Sequence, residues 1–212
     1  MSYIGSKPAN KPVVASDLDP TVITGQTALA TSPASTDEFL ISDAGVLKRL
    51  DASLIGGGGL TEADQWRLSA DLTLATSATD ITANWERVDT SGYGQLGDGM
   101  TESSGIFTFP STGIYLINMK MSGNGGATNY IGNQIFTTTD NSSYVVAADG
   151  FSSTNNSAHY YSTFNQHIFD VTSTSTHKVK FKQFKQGSNT VVANGSTAHS
   201  VTYAMFIKLG DT

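Results

Sequence analysis

The sequence predicts an all-β protein, a sandwich or barrel of short strands, and three observations carry that expectation. Only 14% of the 212 residues are charged, below the ~25% usual in soluble domains, while Gly, Ser, Thr and Asn abound. Runs of Thr, Val, Ile, Tyr and Phe, which suit a pleated surface, alternate with Gly, Asn, Asp and Ser, which supply turn geometry. These runs recur at the spacing of strands in a sandwich or barrel, and no repeat of roughly 20–50 residues is visible, which disfavours solenoids and propellers.

Taken in order, residues 1–36 hold Pro8, Pro12, Pro20 and Pro33 among small polar residues, a composition for an extended arm that runs over a surface. The segment Glu38-Phe39-Leu40-Ile41-Ser42, Asp43-Ala44-Gly45, Val46-Leu47-Lys48-Arg49-Leu50 reads as a hairpin, with Gly45 taking the positive φ of the turn. A lone hairpin is marginal in water. Residues 1–55 are therefore the expected docking element, with Tyr3, Ile4, Phe39, Ile41, Leu47 and Leu50 as its anchoring side chains. Gly56 to Gly59 form a joint, and Thr61-Glu62-Ala63-Asp64 has the pattern of a helix start with Thr61 as N-cap. Flanking Gly and strand formers limit that helix to a turn or two, so residues 56–65 make up the connection. From Trp66 onward strands are expected near 66–74, 80–89, 105–109, 113–122, 129–138, 143–150, 158–171, 177–186 and 198–209, which makes 66–212 the main domain.

Several function classes are excluded or weakened. The absence of cysteine removes disulfides and thiolate metal sites. The N-terminus lacks the apolar core of a signal peptide and no run approaches the ~18 apolar residues of a membrane span, so neither export nor membrane insertion is expected. A net charge of −6 argues against nucleic acid as a partner. Gly92-Tyr93-Gly94-Gln95-Leu96-Gly97 matches G-x-G-x-x-G but opens no helix, which leaves an inter-strand loop. His159, His167, His177 and His199 lack metal-ligand spacing; the remaining alternative is one histidine repeated around a threefold axis. No serine sits in Gly-x-Ser-x-Gly, and Glu86 and Asp89 on one exposed strand read as solvated surface in preference to a glycosidase pair. No cofactor and no enzymatic activity are expected. Lys178-Val179-Lys180-Phe181-Lys182-Gln183-Phe184-Lys185 should turn Val179 and Phe181 inward and expose a basic row, which either keeps the strand soluble or meets an acidic surface.

The stretch Gly105-Ile106-Phe107-Thr108-Phe109-Pro110-Ser111-Thr112-Gly113-Ile114-Tyr115-Leu116-Ile117 resembles the signature of the C1q family, in which a Phe-containing strand leads through a short turn to Gly-x-Tyr and an apolar strand. Trp85-Glu86-Arg87-Val88-Asp89 stands where that family has an aromatic and polar strand. Val201-Thr202-Tyr203-Ala204-Met205-Phe206-Ile207 resembles its final central strand. The resemblance covers roughly residues 66–210 and implies a C1q/TNF-like jelly roll assembled as a homotrimer. The residues agree with it: Pro110 lacks an N–H and suits a strand end, Gly113 permits the tight turn, and Tyr115 can bury its ring while its hydroxyl finds a backbone partner.

Ser2-Tyr3-Ile4-Gly5 with Pro8, and the hairpin from Phe39 to Asp51, resemble segments near the N-termini of structural and fibre proteins of marine and cyanobacterial phages. The combination implies a phage virion protein on the particle exterior, a fibre, knob or decoration anchored through residues 1–55 to other virion proteins. Tyr93, Asn129, Tyr130, Asn155, Asn156 and Asn189 are the expected receptor-contact residues, since Tyr and Asn in loops suit a host cell-surface glycan. Tyr160, Phe164, Phe169, Tyr203 and Phe206 are more aromatics than one small sandwich needs and are the expected trimer interface. A cement or spacer role without a receptor, and a carbohydrate-active enzyme, are the rival readings.

Overall fold

The computed structural model describes residues 36–55, 59–156 and 159–212, together with positions 24, 25, 27, 33 and 34. Tyr3, Ile4, most of the arm, Gly56 to Gly58 and the Leu47 side chain lie outside the described residues. The chain divides into two compact units, Met1–Gly58 and Gly59–Thr212.

In the first unit β1 (Glu38–Asp43) pairs antiparallel with β2 (Val46–Asp51), placing Asp43 opposite Val46. Ala44 at φ 50° and Gly45 at φ 82° form the turn, and two successive left-handed residues give the twist that a two-residue hairpin needs. Glu38 and Arg49 pair at 3.0 Å across the ladder. Successive side chains on a strand point to opposite faces, and Phe39 and Leu40 are both exposed. The hairpin therefore carries apolar side chains on both faces, with Ile41 and Leu50 half-buried.

The second unit is built from β3 (Ala63–Leu68), β4 (Leu72–Thr73), β5 (Thr79–Asp80), β6 (Trp85–Arg87), β7 (Thr101–Ser103), β8 (Ile106–Thr108), β9 (Gly113–Gly125), β10 (Thr128–Thr138), β11 (Val145–Thr154), β12 (Tyr160–Val171), β13 (Lys178–Lys185), β14 (Val191–Ala193) and β15 (Tyr203–Gly210). One sheet runs β12-β9-β15-β3-β6, with β14 pairing the far end of β9 and β4 beyond it. The other runs β11-β10-β13-β8-β7, with β5 beside β13. The two sheets form an all-β, jelly-roll sandwich.

The helix start expected at Thr61 to Asp64 does not form: Ala63 and Asp64 open strand β3, which pairs with β15 and places Asp64 opposite Phe206. Tertiary pairing overrides a local capping pattern. The three-residue strands β7 and β14 escaped the sequence pattern, since so few residues show no alternation.

Between the sheets Phe107 is fully buried, with ring centroids 5.5 Å from Trp66, 5.2 Å from Trp85, 5.5 Å from Phe181 and 5.2 Å from Phe206. Phe109 extends this cluster to Tyr115 at 4.7 Å and Phe169 at 5.8 Å. The Tyr115 hydroxyl donates to the Ser111 carbonyl at 3.1 Å, the backbone partner expected of it. Gly113 has φ 146°, and a Cβ there would sit 2.6 Å from the Gly210 carbonyl oxygen. At the open side of the sandwich Asn165 of β12 donates to the carbonyls of Asn133 (3.0 Å) and Ala148 (3.3 Å) in the opposite sheet. Gly150 lets β11 come this near, because a Cβ there would lie 2.9 Å from the Phe164 carbonyl oxygen.

Candidate functional surfaces

Three connections converge at the end of the second unit where β9 finishes. Gly126 N–H donates to the Thr190 carbonyl at 2.9 Å, the Asn189 amide to the Ala127 carbonyl at 2.7 Å, and the Thr154 hydroxyl to the Gly126 carbonyl at 2.6 Å. Thr128 binds the Gln186 carbonyl and faces Thr154 across the ladder. These bonds gather Asn129, Tyr130, Asn155, Asn156 and Asn189, all exposed, at one end. Tyr93 is not among them. Its hydroxyl donates to Asp64 Oδ1 at 2.8 Å and accepts from the Gln65 N–H at 2.9 Å on β3, and burial with the Asp64 contact pushes its pKa up to about 12. A hydroxyl so committed fixes the 88–100 loop, and Tyr93 is corrected from a receptor contact to a structural tie.

Beside the gathered loops lies an aromatic cluster that the sequence did not reveal. Phe151 of β11 and Phe184 of β13 both register against Gly132 of β10, and the Phe184 ring fills the space where a Gly132 Cβ would be. Tyr130 meets Phe151 at 6.3 Å and Phe184 at 5.8 Å, both edge-to-face. Phe151 remains 61% exposed. The next residues on the same face, farther from the loops, are polar, Asp149 and Gln134, joined at 2.6 Å, with Lys182 opposite Gln134. An apolar patch of edge-to-face rings thus borders a hydrogen-bonding row, a combination suited to an amphiphilic ring such as a hexose. Only the strand register brings these residues together.

The outward face of the β12-β9-β15 sheet is a second surface. Phe164 (55% exposed), Ile168 (60%) and Tyr160 (80%) form a row along β12. Leu116 of β9 and Ile207 of β15 continue the Ile168 row, and Tyr203 continues the Phe164 row past Lys120. Phe169 and Phe206, expected here, point the other way into the core at 7% and 1% exposed. The strand period of two forces this: Phe169 has opposite parity to Phe164, and Phe206 to Tyr203. The same parity argument identifies Ile168, Met205 and Ile207 as the missed members of the outward face.

The charged groups hold the fold. Asp64, 3% exposed, accepts from Trp66 Nε1 (2.8 Å), Tyr93 Oη (2.8 Å) and Met100 N–H (2.8 Å), and pairs with Arg87 at 3.2 Å. Glu86 and Asp89, read as solvated surface, both pair with the fully buried Arg67, with Glu86 at 3.0 Å and largely covered, while the Asp89 side chain stays 74% exposed as expected. The β13 lysines form no free basic row. Lys180 and Lys182 pair with Asp80 at 2.9 and 3.5 Å and lie over Tyr144 and Phe136, while Lys185 turns inward to the Gly187 carbonyl. His177 is buried between Thr172 and Thr176, and burial holds the His167 imidazole below its ordinary pKa. Among the described residues no group of three or more His, Asp or Glu could hold a metal ion, and no helix is long and apolar enough to cross a membrane.

No protein-family description and no curated protein matches the chain. Solved structures do. Murine APRIL is similar at 17% identity with a TM-score of 0.51, covering 70% of this chain and 98% of that one. The Eiger TNF of S. frugiperda is similar at 10% identity with a TM-score of 0.54, covering 73% and 96%. The globular domain of zebrafish complement 1qA aligns at 15% identity with a TM-score of 0.44, covering 69% and 94%. The fold is a TNF-like jelly roll.

Proposed function

We propose that this protein is a non-enzymatic structural appendage of a phage particle, a homotrimer that is anchored on the virion exterior through residues 1–55 and displays its jelly roll towards the host surface. The observation that carries the assembly is the outward face of β12, β9 and β15, where Phe164 and Ile168 stand more than half exposed beside Leu116, Met205 and Ile207. Monomeric soluble proteins seldom expose contiguous apolar surface of this kind, and a second and third copy would cover it. TNF/C1q-like folds often assemble as trimers, which supports the same stoichiometry.

The hairpin, with apolar side chains on both faces, supports an anchoring role for the first unit. The Asn-rich end beside Tyr130, Phe151 and Phe184 supports host contact through a glycan, with three weak sites acting together to strengthen adhesion by ~10²–10⁴.

Solution mass at micromolar protomer is expected at three times 22.3 kDa, and a stable monomer would refute the assembly. Chains lacking residues 1–55 should form a soluble trimer that no longer joins particles; normal incorporation would refute the anchor. Phe151→Ala should lose retention on the glycan that a screen of the intact trimer identifies. If the intact trimer retains no glycan, the role reduces to that of a spacer.

A further inference from the structure

On the outward face of the β11-β10-β13 sheet the strand register lays out two adjoining rows. Asp149, Gln134 and Lys182 form one, and Phe151, Gly132 and Phe184 form the next, nearer the Asn-rich end. Because Gly132 has no Cβ, the Phe184 ring reaches over the middle strand to within 5.8 Å of Phe151, and Tyr130 meets both rings edge-on. Gln134 Nε2 donates to Asp149 Oδ1 at 2.6 Å, which holds an exposed carboxylate in place. Asp149 and Phe151 stand two residues apart on one face of β11, about 7 Å by strand rise. A pyranose lying on the Phe151 ring has edge hydroxyls that reach a carboxylate at that distance.

The charge around the patch selects among such rings. Lys182 is paired with Asp80 at 3.5 Å and lies over the Phe136 ring at 4.6 Å. Segments 126–130, 153–159 and 186–190, which make up the Asn-rich end, contain no Lys or Arg, and Lys185 turns inward to the Gly187 carbonyl. Among the described residues Asp149 is joined to Gln134 and to no cation. Its oxygens accept from sugar hydroxyls. They repel the carboxylate of an acidic sugar, which finds no cation here to offset its lost water. A protein partner takes ~20–30 residues a side, whereas three rings and one polar pair match a sugar residue or two.

We propose that this patch is a subsite for an uncharged hexopyranose, whose apolar face lies on Phe151 beside Phe184 and whose hydroxyls donate to Asp149. This rests on the glycan reading above and adds the sugar class: Phe151 supplies contact area, and Asp149 chooses neutral over acidic sugars.

The intact protein at pH 8 is passed over beads carrying galactose, glucose, mannose or their N-acetylated amino sugars, and over beads carrying galacturonate or sialic acid. Retention is expected on at least one neutral sugar and should be at least ~tenfold weaker on both acidic ones. It should change little between roughly 0.05 and 0.5 M NaCl, because no ion pair holds the ligand. Asp149→Ala should weaken neutral-sugar retention by ~tenfold or more, the worth of a hydrogen bond to a charged group, and Phe151→Tyr should keep it. Both side chains are exposed, so the melting temperature of either variant should stay near that of the wild type. Full neutral-sugar retention by Asp149→Ala, retention on acidic beads equal to or above neutral ones, or retention on none of the neutral beads would overturn the sugar class. Retention on neither neutral nor acidic beads would overturn the glycan reading with it.

Discussion

Tyr115 offers a measurement in which the ring and the hydroxyl can be read separately. The side chain is 1% exposed, its ring lies 4.7 Å from Phe109, and its hydroxyl donates to the Ser111 carbonyl at 3.1 Å with the Ser111 hydroxyl 3.0 Å away. Tyr115→Ala removes both and leaves a cavity between the sheets; buried aromatic truncations cost about 3–5 kcal/mol. Tyr115→Phe keeps the ring and removes one intramolecular hydrogen bond, at about 0.5–1.5 kcal/mol. At ~2–4 °C per kcal/mol for a unit of this size, the melting temperature should fall by roughly 6–20 °C in the first variant and roughly 1–6 °C in the second. Differential scanning calorimetry at one fixed protomer concentration makes the comparison, since assembly couples stability to concentration. A thermally silent Tyr115→Ala, or a Tyr115→Phe as damaging as Tyr115→Ala, would show that the ring does not pack between the sheets and that the register of β9 is shifted by one.

Further outcomes follow from the same geometry. Gly113→Val should lower the melting temperature, through ~1–2 kcal/mol of left-handed strain and a clash with the Gly210 carbonyl, while solution mass measured below the transition stays unchanged. Phe206→Ala should unfold the protomer at a cost of about 3–5 kcal/mol, whereas Ile168→Glu should preserve near-ultraviolet dichroism and dissolve the trimer; the reverse pattern would exchange the two faces. Burial holds the His167 pKa down, so the unfolded chain accepts a proton that the folded one resists. The His167 contribution is then constant above the unfolded value of ~6.5 and declines as pH falls from there towards the lower folded value. The drop in melting temperature between pH 7.5 and pH 5 should shrink in His167→Asn, and an unchanged drop would refute it.

The long strands were legible because eight or more residues of alternating side chains outvote local noise, and β9, β10, β12 and β13 fall within a few residues of their expected positions. The hairpin was legible because Ala44-Gly45 is short enough to dictate its own geometry. Asp64 defeated sequence reading: a carboxylate three residues beyond a threonine looks like a helix cap, and only Tyr93, Arg87 and Met100, brought from 23 to 36 residues away, reveal its role. Arg67 finds its two carboxylates in the same non-local way. Phe169 and Phe206 were placed on the wrong face for a different reason, because counting aromatics ignored parity, which already separated Phe164 from Phe169. Phe151 and Phe184 were invisible because each belongs to a different strand and they meet only over Gly132.

Where the second unit begins and ends has a practical consequence. Ala63 of β3 pairs with Ile207 of β15, and Ile207 with Leu116 of β9, so the first and last strands lie side by side at one end. The Asn-rich loops sit beyond Gly125 at the other end of β9, about 30 Å away at ~3.4 Å per residue. A reporter fused after Thr212 would emerge next to the start of β3 and leave those loops unobstructed. The loops at 126–127 and 186–190 and the positions Asn155 and Asn156 could then be randomised as a set to turn the sandwich into a cysteine-free scaffold for selecting new binding specificities.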